Sequence, residues 1–149
     1  MSDLSDLYQE VILDHYRSPR NFKELTDPDR SAEGYNPLCG DRLKVFLRLE
    51  GDTVQEATFM GSGCAISQAS TSVMTAAVRG KTRAEIEALF KKFQALVTGQ
   101  TPDVDLSELG ELAAMSGVSQ FPVRVKCATL GWHTTLAALK QQRGAVSTE

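Results

Sequence analysis

No stretch of this sequence approaches the run of about 18 consecutive apolar residues that a membrane-spanning helix requires, so no membrane span is expected. An excess of basic charge is also missing. Sixteen Lys and Arg face 19 Asp and Glu, a net charge of −3, which leaves no surplus cation for a phosphate backbone; nucleic acid is not an expected partner. The opening segment MSDLSDLYQEVILDHYRSPR carries acidic residues where a secretory signal is basic, and it lacks a continuous apolar core before a small-residue cleavage site. A soluble, cytoplasmic protein is therefore expected. No internal repeat, low-complexity tract or linker divides the chain, and 149 residues with 42% hydrophobic content make one ordinary domain over residues 1–149. An even number of cysteines is lacking too, so a disulfide framework cannot use all three, and a cytosolic protein keeps its thiols reduced in any case.

What is present reads as helix, hairpin, then helices. Leu4, Leu7, Tyr8, Val11, Ile12 and His15 share one helical face over residues 3–17, with Asp3 as a possible cap. Ser18 precedes Pro19 and is biased out of the helical region, so the helix should stop there. A long Pro- and Gly-containing loop is expected over residues 18–40, ending in Asn36-Pro37-Leu38-Cys39-Gly40-Asp41. Leu43, Val45, Leu47 and Leu49 then alternate with Lys44, Phe46, Arg48 and Glu50, and after Gly51-Asp52 a second strand returns over residues 54–61. Gly61-Ser62-Gly63 breaks that strand, and Cys64 opens a helix running up to Gly80. Thr82 and Glu85 form a capping box for a helix whose apolar stripe ends before Gly99. A short helix near residues 106–115 and a last one over residues 122–143, begun by a tolerated proline, complete the chain. The order argues for an α+β fold, a small antiparallel sheet with helices packed on one side.

The three thiols sit at element ends that look exposed: Cys39 in the loop, Cys64 after the glycine break, Cys127 in the opening turns of the last helix. A helix N-terminus favours the anion, so Cys64 and also Cys127 should deprotonate readily and be able to ligate metal. Asp41, two residues from Cys39, adds an oxygen donor. Three thiolates and a carboxylate suit zinc, and iron in a sulfide cluster would also accept the thiolates. No Cys-x-x-Cys pair is present, and separations of 25 and 63 residues leave two readings open, one shared metal or three unrelated buried cysteines. His15 on an apolar face reads as a hydrogen-bonded packing residue rather than a ligand, and His133 as a residue of the last helix without catalytic consequence. Lys126 is either solvated or an ammonium that stabilises the neighbouring thiolate, and Arg124 either meets a partner or coats the surface.

Four segments carry a resemblance to a known family. They are Asp14-His15-Tyr16-Arg17-Ser18-Pro19-Arg20-Asn21, the Asn36 to Asp41 run, Gly61-Ser62-Gly63-Cys64-Ala65-Ile66-Ser67-Gln68-Ala69-Ser70, and Val123-Arg124-Val125-Lys126-Cys127-Ala128. In these the sequence resembles the U-type iron-sulfur cluster assembly proteins, the IscU, SufU and NifU N-terminal group, over nearly its whole length. It looks most like the SufU branch. Lys126 stands before the third cysteine where IscU-type scaffolds have a histidine, and extra residues fall around positions 97–120.

The resemblance implies an IscU/NifU N-terminal-like fold and a zinc ion held by Cys39, Asp41, Cys64 and Cys127. It also implies receipt of persulfide sulfur from a SufS-type cysteine desulfurase for transfer to downstream cluster-assembly proteins. Such a protein is a zinc-dependent sulfurtransferase in the sense of a sulfur acceptor and carrier, not a conventional turnover enzyme. Cys39 is the expected acceptor, since its loop can move whereas helices fix the other two thiols. A partner side chain is expected to replace Cys39 on the metal. A carboxylate is easier to displace than a thiolate, so Asp41 would help the site change ligands. The alternatives are a scaffold that builds and transfers a [2Fe-2S] cluster on the same ligands and a structural zinc module. A hydrolytic zinc site is disfavoured, because four protein ligands leave no position for water.

Overall fold

The computed structural model describes residues 3–100, 109–140 and 146–147, with side chains over residues 8–100 and 109–140. Helix α1 spans Asp3–Arg17, and its Tyr8 and Ile12 pack against the core. The expected cap at Asp3 and the inward faces of Leu4 and Leu7 lie outside the described side chains. The helix closes with Ser18 N–H donating to the Asp14 carbonyl at 2.9 Å, just before Pro19.

The expected loop over residues 18–40 is corrected by the structure, which folds part of it into strand β1, Arg30–Asn36. Strand β2, Asp41–Glu50, and strand β3, Thr53–Ser62, form the hairpin that the alternation of Leu43, Val45 and Leu47 predicts. A register shift at Arg48/Leu49 bends the pair near its turn. Pairing is antiparallel through β1, β2 and β3, in a register that lines Ala32, Val45 and Phe59 across one face and sets Asn36 opposite Asp41 at one end. A two-residue strand β4, Val146–Ser147, adds in parallel to β1 and gives the sheet order β3-β2-β1-β4.

The inward face of β1 is Ala32, Gly34 and Asn36, small or polar residues that give no apolar alternation to read. Small size there has a cause. A Cβ on Gly34 would collide with Thr134 Oγ1 and lie 3.1 Å from Leu130 Cδ1, so the absent side chain lets the last helix lie directly on the strand.

Helix α2, Ala65–Val78, and helix α4, Pro122–Leu139, contact the strands; helix α3, Arg83–Thr98, packs on α4. The capping box of α3 is formed as expected: Glu85 N–H donates to Thr82 Oγ1 at 3.2 Å and Thr82 N–H to Glu85 Oε1 at 2.9 Å. Gly99 ends the helix in the left-handed conformation. Trp132 of α4 stacks on Phe90 and Phe93 of α3, with ring centroids 5.7 and 5.3 Å apart. These rings join Val45, Leu47, Phe59, Met74 and Leu130 in one core cluster.

Two further expectations are corrected. The short helix expected near residues 106–115 is a 3-10 helix, Gly110–Gln120, buried through Leu112, Ala113, Ala114, Met115 and Val118; residues 101–108 lie outside the described part. The last helix ends at Leu139 with Lys140 as its cap, and residues 141–143 of its expected length also lie outside. No helix among the described residues is long and apolar enough to cross a membrane.

Candidate metal centre

Four elements deliver the site. The turn between β1 and β2 carries Cys39, closed by Cys39 N–H and Gly40 N–H donating to the Asn36 carbonyl at 3.3 and 2.9 Å. Asp41 is the first residue of β2 and faces inward, wholly buried. Cys64 is the N-cap of α2, its sulfur accepting the Ser67 N–H at 3.4 Å, and Cys127 lies in the second turn of α4.

Donor atoms of Cys39, Asp41 and Cys127 all lie within 4.8 Å of one another, and the sulfurs of Cys39 and Cys127 are 3.2 Å apart as free thiols. Cys64 stands at the edge of this group. Its N–H donates to Asp41 Oδ1 at 2.8 Å, which ties it to the group through the carboxylate. Cys39 and Cys64 are half-buried, but Cys127 is not at an exposed element end as its helix position suggested; it is fully buried. The end of the sheet covers it, with Asn36 Nδ2 donating to its sulfur at 3.4 Å.

The electrostatics of the thiols are asymmetric. Cys64 is pulled down to about 6, chiefly by the hydrogen bond from Cys127 and then, against its own burial, by the Ser67 N–H at the helix start. Cys127 moves the opposite way, far up, first because the neighbouring Cys64 thiolate favours its protonated form, then because it is buried and lies close to Cys39 and Asp41. Sulfur and oxygen donors thus crowd together in a largely buried place. Such a set is short of positive charge and fits a shared cation with affinity for both sulfur and oxygen.

The Gly61-Ser62-Gly63 run makes room for this convergence. A Cβ on Gly63 would collide with Asp41 Oδ1 and lie 3.0 Å from its Cγ, so the carboxylate rests against bare backbone. Arg124 supplies the nearby cation, its Nη1 3.7 Å from Cys39 Sγ, and its own pKa is raised first by Cys127 and then by the charge of Cys64. Lys126 is the candidate for that part beside Cys127 in the sequence. Residues three apart share a helix face and adjacent ones do not, so Arg124 and not Lys126 lies over Cys127.

No histidine joins the cluster among the described residues. His15 is buried as a hydrogen-bonded packing residue, with Nδ1 2.7 Å from Ser72 Oγ and Nε2 3.1 Å from Glu111 Oε1. His133 stands edge-on to Phe90, its pKa lowered by burial. Asn36 stands in the sequence only as part of a motif, yet its side chain touches two of the four candidate ligands and its carbonyl a third.

Residues 7–141 match the model of the NifU-like N-terminal domain. The chain belongs to that family. It is 41% identical over 143 residues, 96% of each chain, to the zinc-dependent sulfurtransferase SufU of Bacillus subtilis. It is 38% identical to the iron-sulfur cluster assembly scaffold protein IscU of Streptococcus pyogenes, covering 97% of this chain and 90% of that one. Among solved structures, a candidate assembly scaffold for the SUF system of Fervidobacterium islandicum superimposes with a TM-score of 0.81 at 34% identity, covering 87% of this chain and 94% of the other.

Proposed function

We propose that this family member is a zinc-binding sulfur carrier of iron-sulfur cluster assembly, which takes persulfide sulfur from a SufS-type cysteine desulfurase on Cys39 and passes it to downstream assembly proteins. The observation that carries the reading is the division among the thiols. Cys39 rides on a turn, half-exposed and beside Arg124, whereas Cys64 and Cys127 are held by α2 and α4. The 41% identity to a protein named as a zinc-dependent sulfurtransferase supports it. We place this chemistry in the cytoplasm, where thiols are kept reduced.

Cys39, Asp41, Cys64 and Cys127 would hold the zinc. When bound, it would keep the thiols deprotonated and shielded from oxidation. Cys39 Sγ is the nucleophile and attacks the outer sulfur of the desulfurase persulfide. A sulfur–sulfur bond forms to Cys39 as the one inside the donor breaks, and the electron pair leaves with the donor cysteine as its thiolate. The outer sulfur keeps its proton, and nothing is oxidised or reduced overall. Arg124 stays beside the reacting sulfur and balances its negative charge.

The second reading is a scaffold that assembles a [2Fe-2S] cluster on the same ligands, and the relative named IscU scaffold at 38% identity favours it. Anaerobic reconstitution with iron and sulfide, followed by metal analysis and a desulfurase turnover assay, separates the two. Retained zinc with faster desulfurase turnover is the expected result. A stable coloured cluster would favour the scaffold, and a colourless zinc protein without effect on turnover would leave only structural zinc.

A further inference from the structure

Asn36, the last residue of β1, is wholly buried, and its carboxamide is directed at the candidate metal ligands Asp41 and Cys127. Nδ2 donates to Asp41 Oδ2 at 3.2 Å and to Cys127 Sγ at 3.4 Å, while Oδ1 accepts the Leu38 N–H at 3.3 Å. Its backbone carbonyl accepts the N–H groups of Cys39 and Gly40. An asparagine side chain offers two N–H donors and one acceptor oxygen, so each function of this one is engaged.

We propose that Asn36 is the positioning residue of the metal centre: one carboxamide sets Asp41 and Cys127 in register with the turn that carries Cys39. The inference rests on the zinc reading above. Without the Nδ2 donor, a carboxylate oxygen and a sulfur would face each other in a buried place, two electron-rich atoms with nothing between them. Asp41 Oδ1 is already held by the Cys64 N–H, so the direction of Oδ2 depends on Asn36. Turn and ligands are thereby coupled. Movement of Cys39 away from the cluster pulls on Leu38, hence on the carboxamide, hence on Asp41 and Cys127.

Asn36→Asp separates the two jobs. It keeps the oxygen that accepts from Leu38 and replaces the donor with a second acceptor. Combining it with Asp41→Asn restores one donor–acceptor pair across the strands while removing the carboxylate ligand. The full-length protein, loaded with zinc, is challenged with a chromogenic chelator, and the metal-free protein is alkylated with iodoacetamide and read peptide by peptide.

For Asn36→Asp we expect zinc release faster by about tenfold or more, the usual scale for losing a hydrogen-bond partner of a metal ligand. Alkylation of Cys39 should accelerate relative to Cys64, with the circular dichroism unchanged. The double variant should regain the thermal midpoint without regaining zinc retention. Release and Cys39 alkylation indistinguishable from the native protein would overturn the proposal. If the native protein takes up no zinc, the functional reading falls, and the alkylation arm still decides the role of Asn36. If Asn36→Asp does not fold, the side-chain amide of Asn36 in the native protein decides by NMR. Slow exchange and a shift on zinc loading are expected, and exchange as fast as a free amide would overturn the proposal.

Discussion

Gly63→Ala tests the packing of the site with a single methyl group. The added Cβ would overlap Asp41 Oδ1, which is wholly buried and held by the Cys64 N–H at 2.8 Å and, through the other oxygen, by Asn36 at 3.2 Å. Either the carboxylate turns away and loses a charge-assisted hydrogen bond, a loss of about 1.5–3 kcal/mol, or the backbone shifts, at about 1–3 kcal/mol for overpacking. Both routes predict a loss near 2 kcal/mol. For a chain of this length that lowers the thermal midpoint by about 4–8 °C. The comparison is Gly117→Ala, where a Cβ meets no atom within 4 Å; restricting the unfolded chain there should stabilise by about 0.4–1 kcal/mol. Calorimetry on metal-free protein reads both variants without a contribution from ligation, and zinc titration then reads the site. A Gly63→Ala protein with the native midpoint and native zinc affinity would refute the contact between the glycine backbone and Asp41.

Phe93→Ala, which removes a fully buried ring stacked on Trp132, should cost about 3–5 kcal/mol in urea unfolding without changing zinc stoichiometry. In metal-free protein one thiolate, read at 240 nm, should titrate near pH 6 and vanish in Cys64→Ser. Because that pKa is lowered on folding, its contribution to stability is full above the unfolded value of about 9 and is lost as pH falls toward 6. Zinc at a hundredfold excess over its Kd should raise the stability of the native protein by about 2.7 kcal/mol, and chelation should remove that increment; an unchanged midpoint after verified removal would deny a native zinc site. Arg124→Ala leaves Cys39 without a cation at 3.7 Å, an interaction of about 1 kcal/mol at the dielectric of water, and should slow Cys39 alkylation several-fold.

The readable parts of the fold were those where one element explains its own residues. The Leu43, Val45, Leu47 alternation, the Gly51-Asp52 turn and the Thr82/Glu85 capping box are local patterns, and the structure realises each. Strand β1 was hidden because its inward residues, Ala32, Gly34 and Asn36, are chosen for the close approach of α4 and for polar bonds at the sheet end, not for apolar area. Missing β1 also hid the site's organiser. Asn36 faces Asp41 only through the β1–β2 register, so its bonds to Asp41 and Cys127 cannot be inferred while residues 18–40 are taken as a loop. Cys64 at a helix N-terminus was legible from the glycine break before it, whereas the burial of Cys127 depends on the sheet end covering α4. Arg124 was within reach of the same helical arithmetic that fails for Lys126, being three residues from Cys127.

Sulfur acceptance at Cys39 is tested most directly by a single turnover with isotopically labelled cysteine and the desulfurase, followed by alkylation and peptide mass spectrometry of the zinc-loaded protein. One labelled sulfur on the peptide that carries Cys39, none on those carrying Cys64 and Cys127, and no transfer to a Cys39→Ala variant that still binds zinc is the predicted result. Label reaching Cys39→Ala at the native rate would contradict it, and transfer would then have to begin at Cys64 or Cys127.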